Sequence, residues 1–193
     1  GLQGDAKETL RKIIEIIKKK PEEEVRKYKI ERELWVNELK SYKEKVESYT
    51  NKIINEQYGR VNPIKFVKEL NNFIDKDTIV VHDSSTTSWL ISFFLKGKGR
   101  GRLFTRSAHG ALGSALPMSI GAKLAAYNKR VISATGDGSF GMVIGELETV
   151  RRLKLPLLII ILNDNKLGWI TFNEKALGFY YEKSVEFLDI NFS

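Results

Sequence analysis

The stretch from Arg130 to Asn165 restricts the fold of this chain more than any other. Val131-Ile132-Ser133-Ala134-Thr135 and the Leu/Ile run from Leu155 to Leu162 are short, apolar and bounded by turn residues, the pattern of buried strands. Between them Gly136-Asp137-Gly138 predicts a turn and Phe140 to Leu153 predicts a helix. A strand, a crossover helix and a second strand make a βαβ unit, whose strands are parallel. The fold class that follows is α/β, a parallel sheet with helices on both faces.

The geometry of that unit places two acids together. A helix of about 14 residues at ~1.5 Å each travels roughly 20 Å, and a strand of about 6 residues at ~3.3 Å each returns as far. Asp137 and Asp164 should therefore meet beyond the carboxyl ends of neighbouring strands, where open α/β sheets bind ligands. Two carboxylates there repel unless a cation lies between them. A hard divalent ion with oxygen ligands suits the pair, and Mg²⁺ commonly takes one or two carboxylates with the phosphates of a substrate. Gly136 and Gly138 allow close backbone approach, and Ser139 with the amides opening the helix offers donors to phosphate. The local expectation is a metal-bridged diphosphate. Taken singly, each piece has an ordinary reading: Asp-Gly is a common turn and Asn163-Asp164-Asn165 a common loop and cap. Their joint occurrence at the two ends of one strand-helix-strand unit gives the expectation its weight.

Gly136-Asp137-Gly138-Ser139, a helix, a strand and then Asn163-Asp164 resemble the signature of thiamine-diphosphate-dependent enzymes, with the 27-residue step that family uses between its two metal-binding side chains. Ser139-Phe140-Gly141-Met142, Glu146-Leu147-Glu148-Thr149 and Leu162-Asn163-Asp164-Asn165-Lys166-Leu167-Gly168 look most like the acetolactate synthase and benzoylformate decarboxylase branch. The resemblance implies the diphosphate-binding domain of such an enzyme. It also implies that Asp137, the side chain of Asp164 and the backbone carbonyl of Lys166 hold Mg²⁺, and that Gly136, Gly138 and Ser139 lie around the diphosphate. Two residues depart from the family pattern: Asp164 stands where Asn is more frequent, and Tyr127 where Pro is usual.

Gly4-Asp5-Ala6 opens an amphipathic helix carrying Leu10, Ile13, Ile14 and Ile17, which Pro21 ends. Residues 1–20 read either as the tail of a middle domain, by the same resemblance, or as an amphipathic helix without further meaning. Glu22 to Gln57 lacks Gly and Pro and predicts a long connecting helix, so residues 21–60 form a helical linker. Its apolar positions, among them Trp35, Leu39 and Tyr42, recur too irregularly for confident heptads and are expected to pack on the α/β domain. By the same resemblance residues 61–193 are expected to form the thiamine-diphosphate domain, truncated at its C-terminus. Asn62-Pro63 caps a helix with a Phe66, Val67, Leu70 stripe. Thr78 to Val81 is the first strand, and a hydroxyl-rich turn follows it. Thr86 and Thr87 there are either simple caps or, on the resemblance, ligands of the diphosphate. His82 reads as a strand-end histidine.

Gly110-Ala111-Leu112-Gly113 with Leu116-Pro117 resembles the segment that receives the aminopyrimidine ring, Gly110 by its backbone and Leu112 as apolar support. Close packing through small residues is equally compatible with it. Lys123 is expected on the surface. Lys96 to Arg106 holds five bases among glycines, the pattern of a surface loop. Without interleaved aromatics it disfavours nucleic acid.

The 193 residues carry 32 basic and 24 acidic side chains, a net charge of +8, but most alternate in sign along helices and read as solvated faces. There is no apolar run long enough to span a membrane. Cysteine is absent, which suits a cytoplasmic protein and excludes disulfides and thiolate metal sites. The chain begins at Gly1, which suggests a processed or excised piece. The resemblance implies decarboxylation and carboligation of 2-oxo acids, an oligomer, and a separate pyrimidine-binding domain or subunit supplying the activating Glu. No catalytic residue of its own is expected in this chain, so alone it should be inactive. Glu146 and Glu148 read as surface or packing residues. Two other classes stay open: a non-catalytic fragment or subunit that binds a partner chain, and a phosphate- or nucleotide-binding module.

Overall fold

The computed structural model describes residues 1, 3–54, 61–96, 103–105, 108–179 and 181–192, apart from the side chains of Thr87, Ser88, Ala108 and Glu182. The basic loop expected around Lys96 to Arg106 lies largely outside the described residues. The chain divides into two compact units, Gly1–Glu56 and Gln57–Ser193.

The first unit is helical. α1 (Ala6–Lys18) is capped by Asp5, whose side chain accepts from the Glu8 amide at 3.0 Å. α2 (Glu22–Ile53) runs 32 residues behind Pro21, with Glu22, Glu23 and Glu24 at its positive end. Trp35, Leu39 and Tyr42 lie along this helix.

The second unit contains, in chain order, α3 (Pro63–Phe73), β1 (Thr78–His82), α4 (Thr86–Phe94), β2 (Leu103–Thr105), α5 (Ala115–Ala125), β3 (Arg130–Gly136), α6 (Asp137–Gly141), α7 (Leu147–Arg152), β4 (Leu158–Leu162), α8 (Gly168–Ala176) and α9 (Glu182–Val185). Asn62 caps α3 by accepting from the Ile64 and Lys65 amides at 3.0 and 3.2 Å, with Pro63 at the first helical position. The described sheet has the order β2-β1-β3-β4 and every pairing is parallel.

Alternation along the strands sends neighbouring side chains to opposite faces. Val80, Ile132 and Ala134 meet Val67, Leu70 and Ile74 beside α3 and Ile91 of α4. Ile79, Val81 and Val131 meet Met118 and Ala122 of α5 on the other face. Leu116 and Ile120 of α5, with Phe140, complete that face over Ile159 and Ile161. Each fully buried aliphatic side chain contributes on the order of 1.5–3 kcal/mol, and burying both faces explains why β1 and β3 carry near-continuous apolar runs rather than alternating ones. The parallel α/β sheet with helices on both faces is the architecture expected from the sequence.

The crossover between β3 and β4 departs from expectation. Instead of one helix from Phe140 to Leu153, α6 stops at Gly141, Val143 leaves helical geometry (φ −131°, ψ 15°), and a 3₁₀ turn over Ile144–Glu146 leads into α7. Gly141 and Gly145 weaken helix formation on both sides of the break. β4 begins at Leu158 rather than Leu155, because Lys154 turns through a positive φ of 48° and Pro156 has no amide to donate to a ladder. Lys123, expected outside, is 4% exposed: its ammonium donates to the Lys129 carbonyl at 2.6 Å and lies over the Tyr127 ring. One carbonyl and one aromatic face let the charged tip end at a satisfied position while the stem packs.

Strand order fixes where a ligand can go. From β1 the chain crosses to β2 on one side, and from β2 it returns past β1 to β3 on the other, so the order reverses between β1 and β3. The connections diverge there and leave a crevice at the carboxyl ends of those strands. At the opposite end Asp75 and Asp77 pair with Arg130 and Lys129, closing that edge with ion pairs.

Candidate cofactor site

A cleft of about 1520 Å³ opens at the carboxyl edge of the sheet. Of the residues singled out in the sequence, Thr86, Gly110, Leu112, Gly136, Asp137, Gly138, Ser139, Asp164 and Lys166 all line it. Thr87 stands in the first turn of α4, and its side chain is not among those described.

Parallel register brings the two acids together. Gly136 pairs with Leu162 at the ends of β3 and β4, so Asp137 follows one strand immediately and Asp164 the other two residues later. Asp137 is not a turn residue, as its glycines suggested, but the first residue of α6. It is 6% exposed, and among the described residues its Oδ2 has no hydrogen-bond partner. Burial pushes its carboxyl above the usual carboxylate range, opposed by backbone amides including those of Gly138, Asn165 and Lys166. Asp164 is exposed as a residue, yet its carboxylate tip is tucked against α8: a Cβ on Gly168 would stand 2.9 Å from its Oδ2. Desolvation of that tip raises the Asp164 carboxyl, and the charge of Asp137 raises it further.

The glycines have separate reasons. At Gly136 a Cβ would come within 3.4 Å of Ser85, so the end of β3 can lie close to the turn after β1. The space beside Gly138 is filled by Leu167 and Phe187, which a Cβ would meet at 2.9 and 3.0 Å; the close approach permitted there is to those side chains. In the loop before α5, His109, Gly110 and Gly113 take positive φ.

The rim loop Asn163–Leu167 is held by a segment the sequence left unread. The Asn163 side chain accepts from the Asn165 amide at 3.1 Å, which lets Asn165 adopt a φ of 56°. Val185 accepts from the Leu167 amide at 2.8 Å, the Phe187 amide donates to the Asn165 carbonyl at 2.7 Å, and Lys166 bridges to Glu186. The Asn165 side chain donates to Asp189 at 3.3 Å, and Asp189 itself lines the cleft. Periodicity past Trp169 is weak, so nothing local identified this strap. Trp89 of α4 and Trp169 of α8 stack at 4.7 Å over the same opening. His82, expected at a strand end, is fully buried, neither ring nitrogen has a hydrogen-bond partner among the described residues, and burial lowers its pKa.

Do these residues fit a metal and a diphosphate? Among the described residues two oxygens lining the cleft, Asp137 Oδ2 and Ser139 Oγ, are buried and lack hydrogen-bond partners, a costly arrangement unless something binds there. Among the described residues no three acidic or histidine side chains converge. A cation at the rim would therefore complete its shell with backbone or ligand oxygens, as Mg²⁺ does with phosphates and water. The donor set fits.

Residues 84–193, more than half of the chain, match the family of the thiamine pyrophosphate enzyme, C-terminal TPP binding domain. The chain belongs to this family, whose members bind thiamine diphosphate with Mg²⁺ in this domain. It is similar to the acetolactate synthase large subunit of Buchnera aphidicola subsp. Schizaphis graminum, 31% identical over 167 residues covering 86% of this chain and 28% of that protein. It is also similar to acetolactate synthase of Bacillus subtilis (34% over 115 residues, 60% of this chain and 20% of that protein) and to the mitochondrial acetolactate synthase of Schizosaccharomyces pombe (31% over 166 residues, 81% and 24%). The chain thus spans about a quarter of the length of these relatives.

Proposed function

We propose that the cleft holds the diphosphate end of thiamine diphosphate through Mg²⁺, within an acetolactate-synthase-like enzyme that decarboxylates 2-oxo acids and joins the product to a second carbonyl compound. The observation that carries this is the meeting of Asp137 and Asp164 at one rim, where Asp137 Oδ2 and, nearby in the sequence, Ser139 Oγ are buried without a hydrogen-bond partner among the described residues. Asp137, the Asp164 side chain and the Lys166 carbonyl would hold the cation. Gly136, Gly138, Ser139, Thr86 and Thr87 would surround the diphosphate, with Gly110 and Leu112 toward the ring.

The bound cofactor supplies the carbanion chemistry of the reaction. This chain's own residues bind and orient it. Asp137 and Asp164 stay ionised once a cation lies between them, because opposite charge favours the carboxylate form. Ser139, buried in the first turn of α6, would donate to a phosphate oxygen.

In the same proposal residues 61–193 are the cofactor domain, 21–60 a linker and 1–20 the end of a middle domain. The activating Glu comes from a pyrimidine-binding domain or subunit in an oligomer, and the compartment is cytoplasmic, although one relative is named mitochondrial. Among the described residues no helix is long and apolar enough to cross a membrane.

Isothermal titration with thiamine diphosphate and Mg²⁺ tests the reading. Saturable, Mg²⁺-dependent binding that Asp137→Ala abolishes is the expected result, and its absence in the parent chain sinks the proposal. That the chain covers about a quarter of its relatives favours one further reading, a fragment without activity of its own. Pyruvate turnover by the chain alone, against turnover with a chain carrying the pyrimidine domain, distinguishes the two.

A further inference from the structure

One buried carboxylate near the cleft is used by none of the chemistry above. Asp83 follows β1 directly and is fully buried. Its Oδ1 accepts from the Ser84 amide at 2.8 Å and the Ser114 hydroxyl at 3.1 Å. Its Oδ2 accepts from the Ala115 amide at 3.2 Å and the Thr135 hydroxyl at 3.4 Å. Its own amide donates to the Ala134 carbonyl at 3.2 Å, extending the β1–β3 ladder by one residue.

These partners come from three pieces of chain that meet at the switch point. Ser114 and Ala115 open α5, directly after the Gly110–Gly113 loop. Thr135 lies two residues before Asp137, and its hydroxyl also faces the Gly136 carbonyl at 3.2 Å. Ser84 begins the turn that leads to Thr86. Ser114 occupies the cap position of α5 but its side chain makes no cap bond; the acceptor for the helix start is instead Asp83, 32 residues away. A local serine would have capped the helix equally well. A carboxylate brought from another strand does something a local cap does not, since it fixes the start of α5 relative to the ends of β1 and β3.

We infer that Asp83 is a positioning residue that sets the separation between the ring-side loop at Gly110–Leu112 and the metal rim at Asp137. This rests on the diphosphate reading of the cleft. Each rim alone can bind its own part of the ligand without Asp83. Binding both parts at once requires the two at the right spacing, and a displacement of about 1 Å in such a pair is costly. Asn in place of Asp83 keeps the shape but turns one acceptor into a donor that faces the donors now satisfied.

The test compares two probes on the 193-residue chain by titration calorimetry in Mg²⁺: thiamine diphosphate, which spans both sides, and inorganic pyrophosphate, which reaches only the rim. Asp83→Asn is expected to weaken thiamine diphosphate at least tenfold and pyrophosphate no more than about twofold. Ser114→Ala, which removes one donor and keeps the carboxylate, should show the same selectivity at smaller size and serves if Asp83→Asn does not fold. Equal loss on both probes makes Asp83 a fold residue only and overturns the inference, as does no loss on either. A parent chain that binds neither probe overturns the diphosphate reading itself, an outcome distinct from both.

Discussion

Asp137→Asn should have opposite effects on stability with and without ligand. In the metal-free chain Asp137 is a buried carboxylate, one of whose oxygens has no hydrogen-bond partner among the described residues, close enough to Asp164 for their charges to interact. Burial raises both carboxyls. A folded pKa above the unfolded one means that the native state holds the proton more tightly. The pair's contribution is therefore fully present below the ordinary carboxylate range and is lost as pH rises through the raised folded values. At pH 7 without metal, replacing Asp137 by Asn removes an unfavourable buried charge while keeping its size. Amides around the carboxylate offset part of the cost, so the gain is put at the low end of the usual range, about 1 kcal/mol, or roughly 2–4 °C in Tm for a chain of this length. With Mg²⁺ and thiamine diphosphate at one hundred times Kd, the parent chain should gain about 2.7 kcal/mol and overtake the variant, which gains nothing. Scanning calorimetry in EDTA and in Mg²⁺ with cofactor, from pH 4.5 to 7.5, reads both effects. In EDTA the variant's advantage should shrink as pH falls through the carboxylate range. A variant that melts below the parent in EDTA at pH 7, or that keeps the ligand-induced rise, refutes the account of the rim.

Other changes follow from the same contacts. Gly168→Ala puts a methyl 2.8 Å from Thr86 Oγ1 and 2.9 Å from Asp164 Oδ2; it should weaken Mg²⁺-dependent binding about tenfold, on the order of 1.4 kcal/mol, with little change in the circular dichroism of the fold. Gly138→Ala meets Leu167 and Phe187 instead, and a loss of about 1–2 kcal/mol in urea unfolding is expected from overpacking. His82→Leu should flatten the acid side of the stability curve. The histidine's folded pKa is depressed by burial, so the parent loses stability as pH falls below the ordinary histidine value while the variant does not, as urea titrations at pH 5 and 7 would show. Trp89→Ala breaks the stack on Trp169; it should cost about 1 kcal/mol and remove near-ultraviolet dichroism, and an unchanged spectrum would deny the stacked pair.

What the sequence determined by itself is local. Side-chain period and turn residues identified β1, β3, the cap at Asn62-Pro63 and the direction of the strands, because burial on both faces writes itself into runs such as Ile79-Val80-Val81. The same periods carried Asp137 and Asp164 to one rim, since a parallel crossover of any internal shape must return to the same edge. For that reason the break at Val143 altered the helix and not the destination. Tertiary structure alone decided the contacts between distant residues. Lys123 became buried because a carbonyl from Lys129 and the Tyr127 ring receive its tip. The strap from Val185 to Phe187 closed on Leu167 and Asn165 through backbone hydrogen bonds, which nearly any residue type can make and no spacing announces. Asp83 found the start of α5 because the strand order reverses between β1 and β3, and a period of two or of 3.6 residues carries no record of which strands become neighbours.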